Sequence, residues 1–109
     1  MDVTRAIAAP PLRTSAHGEQ VVAVDIGGTS IRAGLVGVMG HVDVSLRERV
    51  ADKTPHGLAD QICRMLIDLE APADLPVCVG LPGAVCNETM RVLFAPNLGW
   101  RDVYFQRVL

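Results

Sequence analysis

Two hydrophobic periods divide this chain. Val21-Val22-Ala23-Val24-Asp25-Ile26 is a short apolar run rich in β-branched residues, the pattern of a buried strand. Gly27-Gly28 follows, where a two-residue hairpin demands positive φ angles that glycine adopts freely. A second strand is predicted from Ile31 to about Val38, and a third from His41 to Val50. In the third, Val42, Val44 and Leu46 alternate with Asp43, Ser45 and Arg47, which predicts one buried face and one wet face. The first half therefore reads as a three-stranded antiparallel meander.

The period then changes. Thr54-Pro55 is a helix start, with Thr54 able to cap and Pro55 suited to the first turn. Leu58, Ile62, Met65, Leu66 and Leu69 line one helical face, while Asp60, Gln61, Arg64 and Asp68 fall largely on the other. Pro72 and Pro76 mark the end of this helix and a loop. Val77 to Leu81 is a further apolar strand, stopped by Pro82-Gly83, and a strand–helix–strand connection returns parallel to the sheet it left. The last ten residues, from Trp100 to Leu109, read as a turn entering a helix that stops without a Gly or Asn cap, as if cut short.

Composition narrows the class. The chain has 109 residues, 50% of them apolar and 20% charged, which fits one small domain and not a disordered segment. No uncharged apolar run approaches the ~18 residues of a membrane span. A net charge of −2 and a pI near 5.8 argue against a surface for nucleic-acid phosphates. Three cysteines without a C-x-x-C pair give neither a disulfide framework nor a zinc knuckle, so a reducing cytoplasm is expected. Cys63 and Cys78 read as small core residues, and Cys86 as a loop thiol with no neighbour to depress its pKa. His17, His41 and His56 lack partners at metal-ligand spacing. Residues 1–20, Pro- and Ala-rich and aperiodic, read as a flexible tail preceding a domain over 21–109.

Candidate chemistry sits at Asp25-Ile26-Gly27-Gly28-Thr29-Ser30. Two glycines without Cβ atoms let an oxyanion approach backbone N–H groups, and Thr29 and Ser30 add hydroxyls. A carboxylate repels a phosphate, so Asp25 makes chemical sense with Mg²⁺ between the two. A plain Gly-Gly hairpin beside a surface aspartate is the competing reading. Neither a P-loop nor a dinucleotide-binding fingerprint is present.

The run from Val22 to Val36, containing Asp25-Ile26-Gly27-Gly28-Thr29-Ser30, closely resembles the first phosphate motif of the actin-like ATPase superfamily, specifically the ROK sugar kinases. Val79-Gly80-Leu81-Pro82-Gly83-Ala84-Val85 and Phe94-Ala95-Pro96-Asn97-Leu98-Gly99-Trp100 resemble two segments on the sugar side of ROK glucokinases, in the same order. The resemblance covers about Val21 to Leu109. It implies an α/β fold: a partial actin-like ATPase (ribonuclease H-like) N-terminal lobe, with the meander followed by a helix and a parallel strand. It also implies ATP and Mg²⁺ as cofactors and a hexose such as glucose as substrate. Asp25 would organise the metal; Gly27, Gly28, Thr29 and Ser30 would cradle the nucleotide phosphates, and Arg32 would add charge. Gly83, Ala84 and Asn97 would lie on the sugar side, with Trp100 anchoring its loop. Ser30, Cys86 and Met90 depart from the family's residues, and Met90 stands where glycine is common.

The segment carrying the family's general base would follow Leu109, so the resemblance assigns no catalytic residue here and implies that these 109 residues alone phosphorylate no sugar. The Val77–Leu81 strand would then be an open, aggregation-prone edge unless a second copy or a complementing chain covers it. Three classes fit: a sugar-kinase fragment, a non-catalytic sugar-responsive ROK regulator or pseudo-kinase remnant, and half of another actin-like ATPase. The Pro82-Gly83-Ala84-Val85 and Ala95-to-Trp100 blocks favour ROK over the third. No recognition helix or basic patch supports a complete DNA-binding repressor.

Overall fold

The computed structural model describes residues 6–8, 20–37 and 39–109. The remainder of the segment read as a tail, including His17, lies outside them, as does Val38. Strands β1 (Ala6–Ala8), β2 (Gln20–Ile26), β3 (Ser30–Gly37) and β4 (Val42–Arg49) precede helix α1 (Pro55–Asp68) and strand β5 (Val77–Leu81). These strands form one sheet in the order β1-β5-β2-β3-β4. The antiparallel meander of β2, β3 and β4 is present, and β5 runs parallel to β2 from Val22↔Val77 to Asp25↔Gly80. Within the segment read as a tail, Ala6–Ala8 pair antiparallel with Val79–Leu81. The β5 edge expected to stand open is therefore covered over those residues.

Thr54 caps α1 as its side chain predicts: its Oγ1 accepts from the Gly57 N–H at 3.1 Å. The Asp52 carboxylate in turn accepts from the Thr54 N–H at 2.9 Å, which holds its pKa below the ordinary range. The helix ends at Leu69, ahead of the prolines, where Glu70 takes a positive φ of 55° and turns the chain out of the helical path. Leu58, Ile62, Met65 and Leu69 are buried against Val22, Val24 and Ile26 of β2 and Ile31 and Ala33 of β3. Full burial of each larger side chain contributes about 1.5–3 kcal/mol, which makes this helix–sheet seam the main source of cohesion.

Four expectations are corrected. Val42 and Val44 are exposed, because β4 is the outer strand and α1 packs on β3 instead. Cys63 is exposed on α1 rather than in the core, whereas Cys78 is half-buried and its thiol pKa is pushed up by burial. Gln61, assigned to the polar face, is 3% exposed and fully engaged in hydrogen bonds. Trp100 to Val103 is a strand rather than a turn, although a short helix does follow it as expected.

That strand belongs to a second, three-stranded sheet with β6 (Ala84–Val85), β7 (Val92–Ala95) and β8 (Trp100–Val103), followed by α2 (Phe105–Val108). Two- and four-residue strands are too short to show a period of their own. Trp100 and Phe105 seal this sheet onto the core, their ring centroids 5.0 Å apart. The β6–β7 turn is closed by Met90 N–H to Cys86 O at 2.7 Å and Cys86 N–H to Arg91 O at 2.9 Å.

Met90 has φ +61°, the left-handed region where a side chain costs about 1–2 kcal/mol and glycine costs nothing steric. Replacement of Met90 by Gly is expected to raise stability by roughly 0.5–1 kcal/mol, the relief being partly offset by a looser unfolded chain. A thermal or urea melt checks this; a lower midpoint for Met90→Gly would contradict the strain.

Candidate functional site

At one end of the larger sheet, three short segments meet. The first is the β2–β3 turn, residues 27–30, closed by the Gly27 N–H donating to Ser30 O at 2.8 Å. Neither Gly27 nor Gly28 adopts a positive φ, which corrects the hairpin argument. Space is what favours glycine here. A Cβ on Gly27 would stand 3.2 Å from Ser30 O, and one on Gly28 would stand 3.3 Å from the Cβ of Asn97. The turn and the Asn97 loop therefore touch directly, bringing together the two blocks that the sequence places 69 positions apart, 97 less 28.

The third segment is the connection from β4 to α1. Its Val50 N–H donates to Thr29 O at 2.9 Å, and its Lys53 Nζ donates to Asn97 O at 3.3 Å. Trp100 Nε1–H donates to Lys53 O at 2.6 Å, so Trp100 anchors the loop as expected and also braces this connection. Lys53 is an exposed cation at the junction that no sequence motif marked; its only signal was its place just before Thr54-Pro55. Among the described residues, the Gly28 and Thr29 N–H groups donate to no backbone carbonyl, leaving two amides on the turn for an anion.

Asp25 and Arg32 are register partners on β2 and β3, both exposed, on the sheet face opposite α1. They stand at one end of a concavity of about 420 Å³ floored by Gly34 and Gly80, with Ala23 and Cys78 along it. Asp25 also lies beside Gly80 in the parallel register. Thr29 is exposed and Ser30 half-buried. Gly83 and Ala84 are buried against Phe94 and Ala95, the residues that lead into the Asn97 loop. A Cβ on Gly83 would fall 2.5 Å from Phe94 O, and its N–H donates to Leu81 O at 3.0 Å. Asn97 is exposed.

No cluster of three or more His, Cys, Asp or Glu side chains fit to hold a metal exists among the described residues. One carboxylate beside an anion seat is nonetheless the donor set of a phosphate-bound Mg²⁺, which takes most of its ligands from water and phosphate oxygens. In the β6–β7 turn, the Thr89 hydroxyl and the N–H groups of Thr89 and Glu88 hold the Cys86 thiol below its ordinary pKa, contrary to the sequence reading.

This architecture is the ROK sugar-kinase (actin-like ATPase) α/β fold, present in part. The ROK family model matches residues 21–109, and the chain belongs to that family. A glucokinase from Streptomyces coelicolor is 33% identical over 82 residues, 74% of this chain and 26% of its own length. The structure of a ROK family glucokinase from Streptomyces griseus in complex with glucose and AMPPNP superposes with a TM-score of 0.69 at 34% identity, over 82% of this chain and 30% of that one. An inorganic polyphosphate/ATP-glucomannokinase from Arthrobacter sp. strain KM shares the fold, with a TM-score of 0.67 at 22% identity over 83% of this chain and 39% of that one. The chain spans about a quarter of the length of the curated relatives it matches. Among the described residues, no helix is long and apolar enough to cross a membrane.

Replacing Gly28 by Val would force the turn and the Asn97 loop apart. We expect a stability loss of about 1–3 kcal/mol and displaced amide resonances at Asn97 and Thr29. An unchanged melt and unmoved Asn97 resonances would show that the two segments do not touch.

Proposed function

We propose that this chain provides the phosphate turn and part of the sugar wall of a ROK-type kinase that transfers a phosphoryl group from ATP to a hexose such as glucose. The observation that carries the reading is the contact between Gly28 and Asn97, which joins the phosphate-motif turn to the sugar-side loop. The glycines permit close approach, the Gly28 and Thr29 amides point no bond into the backbone, and Lys53 and Arg32 supply positive charge nearby. The glucose and AMPPNP bound to the Streptomyces griseus relative support the two ligand classes.

In this reading, Asp25 organises Mg²⁺ on the nucleotide, which when bound neutralises phosphate charge in the transfer. Gly27, Gly28, Thr29 and Ser30 cradle the phosphates, and Arg32 adds a cation at the far side of Asp25. Asn97 contacts the sugar. Gly83 and Ala84 shape its wall through packing, Gly83 by admitting the Phe94 backbone. No residue of the chain is assigned as the base that takes the sugar's hydroxyl proton. That base comes from elsewhere in a complete two-lobed enzyme, through further sequence of the same polypeptide or a complementing chain. The working compartment is the cytoplasm, where ATP and reduced thiols are both supplied.

Titration of the isotopically labelled chain with Mg²⁺·AMPPNP tests this. Saturable shifts are expected at Gly27 to Ser30, weakened about tenfold or more by Asp25→Asn, with glucose moving Asn97 separately. Absence of saturable shifts in the turn, or indifference to Asp25→Asn, would contradict the reading.

A further inference from the structure

We infer that Gln61 is a positioning residue for the phosphate turn, acting through the connection between β4 and α1; the inference rests on the turn being a phosphate seat. Among the described residues Gln61 is the one buried polar or charged side chain, 3% exposed in the middle of the apolar face of α1. Its amide is spent on a single stretch of backbone and one side chain. Oε1 accepts from the Ala51 N–H at 3.1 Å, while Nε2 donates to Arg49 O at 2.7 Å and to Glu48 Oε1 at 3.0 Å.

Val50 lies between the two backbone groups that Gln61 holds, and the Val50 N–H donates to Thr29 O at 2.9 Å. A trans peptide unit is planar, so fixing the Thr29 carbonyl fixes the direction of the Ser30 N–H on the same plane. The glutamine thus reaches the turn through one intermediate hydrogen bond. The same stretch continues to Lys53, whose carbonyl is held by Trp100 and whose ammonium holds Asn97 O. One short connection therefore references both the phosphate turn and the sugar-side loop to the core helix, and Gln61 is its buried anchor. Burial is what makes the anchor firm: water has little access to a side chain 3% exposed, and an unmatched polar group there is costly.

Purely structural packing would make the same residue a contributor to global stability only. Gln61→Leu, close in volume and without polar atoms, separates the two roles, with Ile62→Val as a control that weakens the core without touching the connection. Hydrogen exchange of Val50 is read against that of Met65, deep in α1. Gln61→Leu is expected to speed Val50 by about tenfold more than Met65 and to shift the Gly27 to Ser30 amides, whereas Ile62→Val speeds both alike. Mg²⁺·AMPPNP affinity should fall about tenfold in Gln61→Leu and stay within about twofold in Ile62→Val. Gln61→Met, unbranched, close in volume and likewise without the amide's donors and acceptor, should behave as the leucine variant does and serves if that variant does not fold. Parallel exchange at Val50 and Met65 with unmoved turn amides overturns the inference, as does unchanged affinity in a binding wild type. Should the wild type bind no nucleotide, the phosphate-seat reading fails by itself, and exchange at Val50 still decides what Gln61 holds.

Discussion

The missing Cβ at position 28 is the constraint on which the site depends. A Cβ there would stand 3.3 Å from the Asn97 Cβ, tighter than ordinary contact, so glycine lets the β2–β3 turn and the Asn97 loop approach without either giving way. Around that contact the remaining parts fall into place. The helix–sheet seam holds β2 and β3 rigid, Trp100 pins the loop, and the β4–α1 connection ties both to α1. The turn proposed to hold a phosphate and the loop proposed to face a sugar are thereby kept in contact with each other.

Electrostatics fits this arrangement better than it fits a plain hairpin. Asp25 and Arg32 sit opposite one another on the sheet face away from α1, and Lys53 stands on the other side of the turn at Asn97. A turn with two unspent amides, flanked by cations and one carboxylate, suits a phosphate that carries its own Mg²⁺. The net charge of −2 matters little to such a seat, because the field that a phosphate meets is set by the few groups within a Debye length of about 10 Å.

The meander, the helix and the parallel strand were legible because each is long enough to show its period, and Thr54-Pro55 marks the helix start chemically. The small sheet was not, since strands of two to four residues carry no period and Met90 turns the chain where glycine would have signalled a turn. Exposure on β4 was missed because alternation shows which side chains share a face, not whether anything covers it. Glycines 27 and 28 were found for the wrong reason: the residue type was informative, but Gly27 is confined by the Ser30 carbonyl across the turn and Gly28 by a neighbour 69 positions away, which no local pattern contains. Gln61 and Lys53 escaped for the same reason, their partners being fixed only by the tertiary fold.

Paramagnetic broadening addresses the phosphate seat most directly. With Mn²⁺·AMPPNP added in small amounts to the labelled chain, the Gly28 and Thr29 amides, with Asp25, should broaden first and recover when Mg²⁺·AMPPNP is added in excess. Broadening that begins at the exposed carboxylates Asp43, Asp60 or Asp68, and leaves the turn sharp, would show that the glycines form a bend and nothing more.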